Sequence, residues 1–127
     1  MVRIGLARTL LLLILLCGCG RTAASNPAYA GSWPSFVING SQNLGGFVVD
    51  SSGEFQLSAP GAQVSGAIAT DGTVSGAAQG SGGGVCALQG HCRSTAVCIG
   101  TTIGSGCPLD QNGRPWATFA LCRGPGC

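Results

Sequence analysis

The sequence contains no lysine and few charged residues of either sign. Six arginines and four carboxylates are spread over 127 residues. A nucleic-acid-binding protein needs clustered Lys and Arg to displace counterions from phosphate groups. Arg3 and Arg8 precede the first apolar run, and the other four arginines are scattered along the chain. The composition therefore excludes nucleic acid as an expected partner.

The motifs that assemble common catalytic centres are also missing. There is no G-x-S-x-G elbow, no H-E-x-x-H, no P-loop and no G-x-G-x-x-G. Asp50 and Asp71 lie in turn-like stretches, so a carboxylate pair for general acid–base chemistry is not expected. We therefore predict no catalytic residue, no metal site and no cofactor, and we expect the protein not to be an enzyme.

A long hydrophobic run is absent as well. The unbroken apolar stretch covers the seven residues Leu10–Leu16, whereas a membrane-spanning helix needs about 20. Arg3 and Arg8 before the run, and small residues after it, are typical of an export signal.

The end of that run, Leu16-Cys17-Gly18-Cys19, resembles the lipobox of bacterial lipoproteins. The resemblance implies a diacylglycerol on the Cys19 sulfur, cleavage before Cys19 and acylation of the new amine. Cys17 fits the pattern poorly, because bulky Leu16 would then occupy the position before the cut. The residue after the modified cysteine is Gly20, and in this family the absence of Asp there favours the outer membrane. Two or three acyl chains form a stable membrane anchor.

These features divide the chain into three predicted segments. Residues 1–18 form the signal peptide, 19–29 a lipidated tether, and 30–127 a glycine-rich β domain. Removal of the signal takes Arg3 and Arg8 away. Four arginines then face four carboxylates, so the mature side chains carry no net charge. The predicted location is the cell envelope, with the membrane as a partner through the lipid.

Alternation of apolar and polar residues predicts an all-β domain. In "GEFQLS" Phe55 and Leu57 alternate with polar residues, and Val64, Gly66 and Ile68 do so in the next run. Asp71-Gly72 has the composition of a type I′ hairpin turn. We expect an antiparallel meander of about eight short strands, forming a small barrel or sandwich, with no helix beyond the signal. The strands are predicted near 31–38, 43–50, 53–58, 62–69, 72–78, 84–90, 94–100 and 115–122.

The first and last of these strands carry a second, weaker resemblance. Gly31-Ser32-Trp33 opens the domain, and Arg114 and Arg123 flank the final strand. Lipocalin-like and avidin-like barrels share such a G-x-W, with a basic residue of the last strand packed over the Trp. The resemblance implies a cation–π contact on Trp33.

Six cysteines in the C-terminal part, 86–127, predict three disulfides, because an even number in an exported chain is typical of them. The intervening residues number five, five, eight, fourteen and four, and His91 is the only histidine, which is a poor match to zinc spacing. We interpret His91 as a turn residue. A hairpin turning at Cys92 would place Cys86 opposite Cys98, which is the pair we predict. The six are Cys86, Cys92, Cys98, Cys107, Cys122 and Cys127.

Two classes of function remain after these exclusions. The first is a structural or interaction module of the cell envelope that contacts an envelope protein. The second is a small-ligand carrier, or a proteinaceous inhibitor, on a lipidated barrel. A carrier needs a lined cavity, and the inward positions around Val64 to Ala78 are mostly small. The sequence alone leaves both classes open.

The lipobox generates the first testable prediction. Cys19→Ala should leave the chain uncut and without lipid, because the thiol that is alkylated is gone, whereas Cys17→Ala should be processed normally. Mass spectrometry of the mature N-terminus measures both outcomes. A mature chain that begins at a residue other than Cys19, or carries no lipid there, would contradict the interpretation.

Overall fold

The structure, a computed structural model, describes residues 26–124 and confirms the all-β class. The predicted signal helix, Cys17, Cys19 and Cys127 lie outside this range. In the described part no helix is long and apolar enough to cross a bilayer. Ten strands are present: β1 (Gly31–Trp33), β2 (Ser35–Ile38), β3 (Gln42–Asn43), β4 (Phe47–Val49), β5 (Glu54–Ala59), β6 (Ala62–Ile68), β7 (Thr73–Gly80), β8 (Val85–Ser94), β9 (Val97–Ile103) and β10 (Thr118–Cys122).

The alternation in the sequence correctly separates the two faces of the strands. Phe55 and Leu57 are buried in β5, while Glu54, Gln56 and Ser58 between them are exposed. The count of ten rather than eight has two causes. The predicted strand 31–38 is interrupted at Pro34, which has no N–H for a sheet ladder, and the two-residue β3 was not predicted.

All ten strands belong to one antiparallel sheet, in the order β1-β4-β5-β6-β7-β8-β9-β10-β2-β3. β1 pairs with β4 near one end of this order, and β2 pairs with β10 near the other end. Yet β1 and β2 are separated in the chain by Pro34 alone. The sheet must therefore curl until its two ends meet at this segment, which makes the fold barrel-like.

The turn at Asp71-Gly72 differs from the predicted type I′ geometry. Asp71 does not adopt a positive φ, since Asn39 is the only non-glycine that does so in residues 26–124. The loop has three residues instead. The N–H of Ala69 bonds the carbonyl of Thr73, and Gly72, at φ 91°, supplies the left-handed residue. A three-residue loop of this kind needs one left-handed position rather than two, so Asp71 stays in an ordinary conformation.

Two rows of glycines cross the sheet from strand to strand. Gly66 of β6 pairs with Gly76 of β7, and the ring of Phe55 on β5 covers Gly66 from inside. On the other side Gly90 pairs with Gly100, and the ring of Phe119 covers Gly100. Both rows therefore exchange side-chain volume for close backbone packing, and neighbouring aromatic rings fill the space.

The second prediction concerns the first glycine row. A methyl group at Gly66 would lie 2.7 Å from Phe55 Cζ and 2.8 Å from the Ser75 carbonyl oxygen. Gly66→Ala should therefore lower the free energy of unfolding by about 1–3 kcal/mol, the usual cost of overpacking. Gly82→Ala is the control, because a methyl there meets no atom within 4 Å. Denaturant titration with intact disulfides measures both, and equal stabilities would contradict the packing argument.

Candidate functional site

The chain enters the sheet at one end of the strands, here called the tether end, where the turns 50–53, 69–72 and 94–97 lie. Asn26 is buried and binds two of the elements there. Its N–H donates to the Ser51 carbonyl at 2.6 Å, and its Nδ2 donates to the Ile68 carbonyl at 2.6 Å. Tyr29 is buried close by. Packed structure thus begins within the segment 19–29 that we interpreted as the tether.

A cation–π contact lies at the same end. The guanidinium carbon of Arg123, just after β10, is 4.7 Å from the centre of the Trp33 ring. The same guanidinium donates to the carbonyl oxygens of Ala30 at 3.2 Å and Ala28 at 3.4 Å. Trp33 is fully buried, and its Nε1 donates to the Tyr29 carbonyl at 2.9 Å. Of the two arginines named from the sequence, Arg123 makes the expected contact on Trp33.

The opposite end, here called the loop end, is covered by the connection 104–117. Asp110 on this connection accepts a hydrogen bond from Asn39 Nδ2 at 2.7 Å and from the N–H groups of Asn112 and Arg114. These hydrogen bonds lower the pKa of Asp110 below its ordinary value, and the bond from Asn39 has the largest effect. Asn39 Oδ1 in turn accepts from the N–H of Ala117 at 2.8 Å. The network fixes the connection across the loop end.

The disulfide pairing differs from the prediction. Cys92 bonds Cys98, and Cys86 bonds Cys107, so the predicted Cys86–Cys98 pair is wrong. The hairpin does not turn at Cys92, because β8 continues through it to Ser94 before the chain reverses. The strand register then places Cys98 opposite Cys92. Cys122 is disulfide-bonded as well, and Cys127 lies outside the described residues.

His91 is not a turn residue, contrary to the prediction. It lies within β8 with its side chain exposed, opposite Ile99 of β9. Within residues 26–124, no three His, Cys, Asp or Glu side chains are close enough to bind a metal ion together. The lipidation residue Cys19 precedes the described range, so its chemistry stays a prediction.

The interior of the curled sheet is filled. The inward positions Val64, Ile68, Val74 and Ala78 are all buried, and the backbones between them approach closely. A methyl at Gly76, for example, would lie 2.8 Å from the Gly66 Cα. The small residues of these strands have thus drawn the sheet together rather than lined a void.

A shallow groove of about 600 Å³ lies on the outer surface of β8, β9, β10 and β2. Outward side chains on paired positions form its walls, with Ile99 opposite Ala120 and Ala120 opposite Val37. His91 is the only titratable side chain that lines it. The sequence analysis did not identify this groove, although strict alternation with buried Cys98 indicates that Ile99 faces outward.

No protein-family model matches this chain, and no curated protein or solved structure is significantly similar to it.

The third prediction tests the contact between Arg123 and Trp33. Arg123→Ala removes the cation–π contact and two hydrogen bonds to carbonyls, so it should lower the free energy of unfolding by about 1–3 kcal/mol. Arg93→Ala removes an exposed arginine of β8 and should change stability by less than about 0.5 kcal/mol. Both values come from denaturant titrations followed by tryptophan fluorescence. A similar loss in the two variants would show that Arg123 acts only through net charge.

Proposed function

We propose that the protein is a non-enzymatic, lipid-anchored lipoprotein of the bacterial cell envelope. It acts as an interaction module that contacts an envelope protein, rather than as a catalyst. The lipobox-like Leu16-Cys17-Gly18-Cys19 supports the anchor. Two disulfides in the described domain support an oxidising compartment, because such bonds are rare in the cytosol. An outer-membrane location rests on Gly20 after the modified cysteine.

The filled interior is the observation that favours an interaction module over a small-ligand carrier. A carrier of small apolar ligands needs a cavity enclosed by its strands. Here buried side chains occupy that space, and the paired glycines let neighbouring strands approach closely. The groove of about 600 Å³ lies instead on the outer surface, lined by Ile99, Ala120 and Val37 among others. An outer groove suits contact with a macromolecule better than storage of a ligand.

The position of the N-terminus orients the domain in this proposal. Asn26 is the seventh residue after Cys19, and a fully extended chain of seven residues reaches about 25 Å. The tether end then faces the membrane, and the loop end, with the connection 104–117, points away from it. The sides of the sheet are left free to contact neighbours in the envelope.

We also propose that the curled sheet is a small barrel of eight strand positions, in which β1 and β2 (31–38) count once and β3 and β4 (42–49) count once. The contact of Arg123 with Trp33 supports its likeness to lipocalin-like and avidin-like barrels. Compared with such barrels, this domain has the contact between Arg123 and Trp33 but not the open interior.

The fourth prediction separates an interaction module from a carrier. The full chain, purified from its own membranes in mild detergent, should show by native mass spectrometry only the polypeptide, its covalent lipid and bound protein. Denaturation should release no small molecule. Cys19→Ala serves as the control for the anchor and should leave the membrane fraction. A small molecule that is bound stoichiometrically and lost on unfolding would contradict the proposal and favour the carrier.

A further inference from the structure

The connection 104–117 at the loop end carries the most exposed large apolar side chain of the described residues. Leu109 is 64% exposed, whereas Pro108 before it and Asp110 after it are buried. Side chains that alternate between buried and exposed in this way belong to an extended chain. The two buried neighbours therefore hold the backbone against the domain while the Leu109 side chain points into solvent.

The backbone groups of Leu109 point outward as well. Leu109 forms an isolated antiparallel bridge with Pro115. The hydrogen bonds of this bridge are made by the residues on either side, for example from the N–H of Asp110 to the carbonyl of Arg114 at 2.7 Å. In such a pair the N–H and C=O of the bridged residue point away from the partner strand. No described residue forms a hydrogen bond with either of these groups of Leu109.

Both sides of Leu109 are fixed to the rest of the domain. On the N-terminal side, Cys107 is bonded to Cys86 of β8. On the C-terminal side, the Asp110 carboxylate accepts a hydrogen bond from Asn39 Nδ2 at 2.7 Å. An extended segment that is held at both ends loses little conformational freedom when it binds a partner.

We propose that Leu109 inserts into the active-site cleft of a serine protease and that the domain thereby inhibits the protease. The Leu109 side chain fills an apolar primary specificity pocket of the enzyme. The inference deepens the proposed function and rests on it, because it names the class of envelope protein that the interaction module contacts. It does not depend on the lipid.

A protease cleft fits this segment better than strand addition to another sheet. Strand addition pairs the backbones of several alternate residues. In the segment 108–110 only Leu109 offers both backbone groups, since Pro108 has no N–H and the N–H of Asp110 is already bonded. A protease instead recognises one side chain in a pocket and polarises one carbonyl. Room for the cleft is present, because small residues at 80–82 border the adjacent recess of about 410 Å³.

The fixed ends of the segment explain why such a contact inhibits the protease. The serine oxygen of the enzyme bonds the carbonyl carbon of Leu109, and the bond from that carbon to the Asp110 nitrogen breaks. The hydroxyl proton passes through the catalytic histidine to that nitrogen. The disulfide of Cys107 and the hydrogen bonds of Asp110 keep the new amine beside the ester. The amine therefore re-forms the peptide bond before water replaces it.

The test measures inhibition constants of the full chain, purified from membranes in mild detergent. Chymotrypsin and subtilisin accept large apolar side chains, whereas the pocket of trypsin holds a carboxylate. We expect inhibition of at least one of the first two enzymes and none of trypsin. Leu109→Lys should weaken that inhibition at least about 100-fold, because an ammonium group is not solvated in an apolar pocket, and should create inhibition of trypsin.

Val48→Lys is the matched control, since Val48 is 63% exposed and lies on β4, away from the connection 104–117. It should leave the inhibition constants for all three enzymes unchanged. Circular dichroism checks that each variant is folded, and Leu109→Gln repeats the expected loss if Leu109→Lys is not. Mass spectrometry after incubation with each enzyme locates any cut.

Three outcomes would overturn the inference. The first is a chain that inhibits neither chymotrypsin nor subtilisin. The second is rapid cleavage after Leu109 without inhibition, and the third is an equal loss in Leu109→Lys and Val48→Lys. None of them overturns the proposed function, which is tested separately by native mass spectrometry of the chain with its bound protein.

Discussion

The short link Trp33-Pro34-Ser35 is the constraint on which the rest of the structure depends. It joins β1, which pairs with β4, to β2, which pairs with β10. Because three residues cannot span an open sheet of this width, the sheet has to curl. Curling in turn brings Arg123, at the end of β10, over the ring of Trp33 at the end of β1. The first strand, the last strand and the entering chain are then held by one buried indole.

Stability in such a glycine-rich chain comes from two different sources on two sides of the sheet. Near the link, aromatic rings pack together: Phe36 contacts Phe47, Trp116 and Phe119, with centroids 5.9 to 6.3 Å apart. Such pairs contribute about 0.5–1.5 kcal/mol each beyond their burial. On β8 and β9 the disulfides Cys92–Cys98 and Cys86–Cys107 stabilise the sheet instead. Native disulfides typically contribute about 2–4 kcal/mol to the free energy of unfolding. The glycine rows lie on β6 and β7 and on β8 and β9, and the rings of Phe55 and Phe119 pack against Gly66 and Gly100.

This arrangement has a consequence for function. Interior volume that a ligand would need is used to close the sheet, because each glycine row lets neighbouring strands approach until their backbones touch. A binding site must then lie at one of the two ends of the sheet or on its outer surface. The tether end holds Asn26, Trp33 and Arg123, and the loop end holds the Asn39–Asp110 network. The groove lined by Val37, Ile99 and Ala120 lies on the outer surface of the sheet.

The inward and outward positions of Phe55, Leu57, Val64 and Ile68, and the approximate limits of the strands that hold them, were determined by the sequence alone. Alternation is a local property, fixed by the pleat of each strand. Cysteine pairing was not local. It depended on where the β8–β9 hairpin reverses, which is beyond Ser94 rather than at the turn expected at Cys92. The three-residue loop at Asp71 was missed because its composition fits two turn geometries.

The resemblance of Gly31-Ser32-Trp33 to the G-x-W of lipocalin-like and avidin-like barrels implied that a basic residue of the last strand would cover Trp33, but it offered Arg114 and Arg123 equally. Only the tertiary structure decided between them, because the choice depends on which end of β10 meets the link after the sheet has curled. The same holds for the outer groove. Val37, Ile99 and Ala120 lie far apart in the chain, and no local pattern brings them together. They become neighbours through the register of β2, β10 and β9, which is set by the packing of the whole sheet.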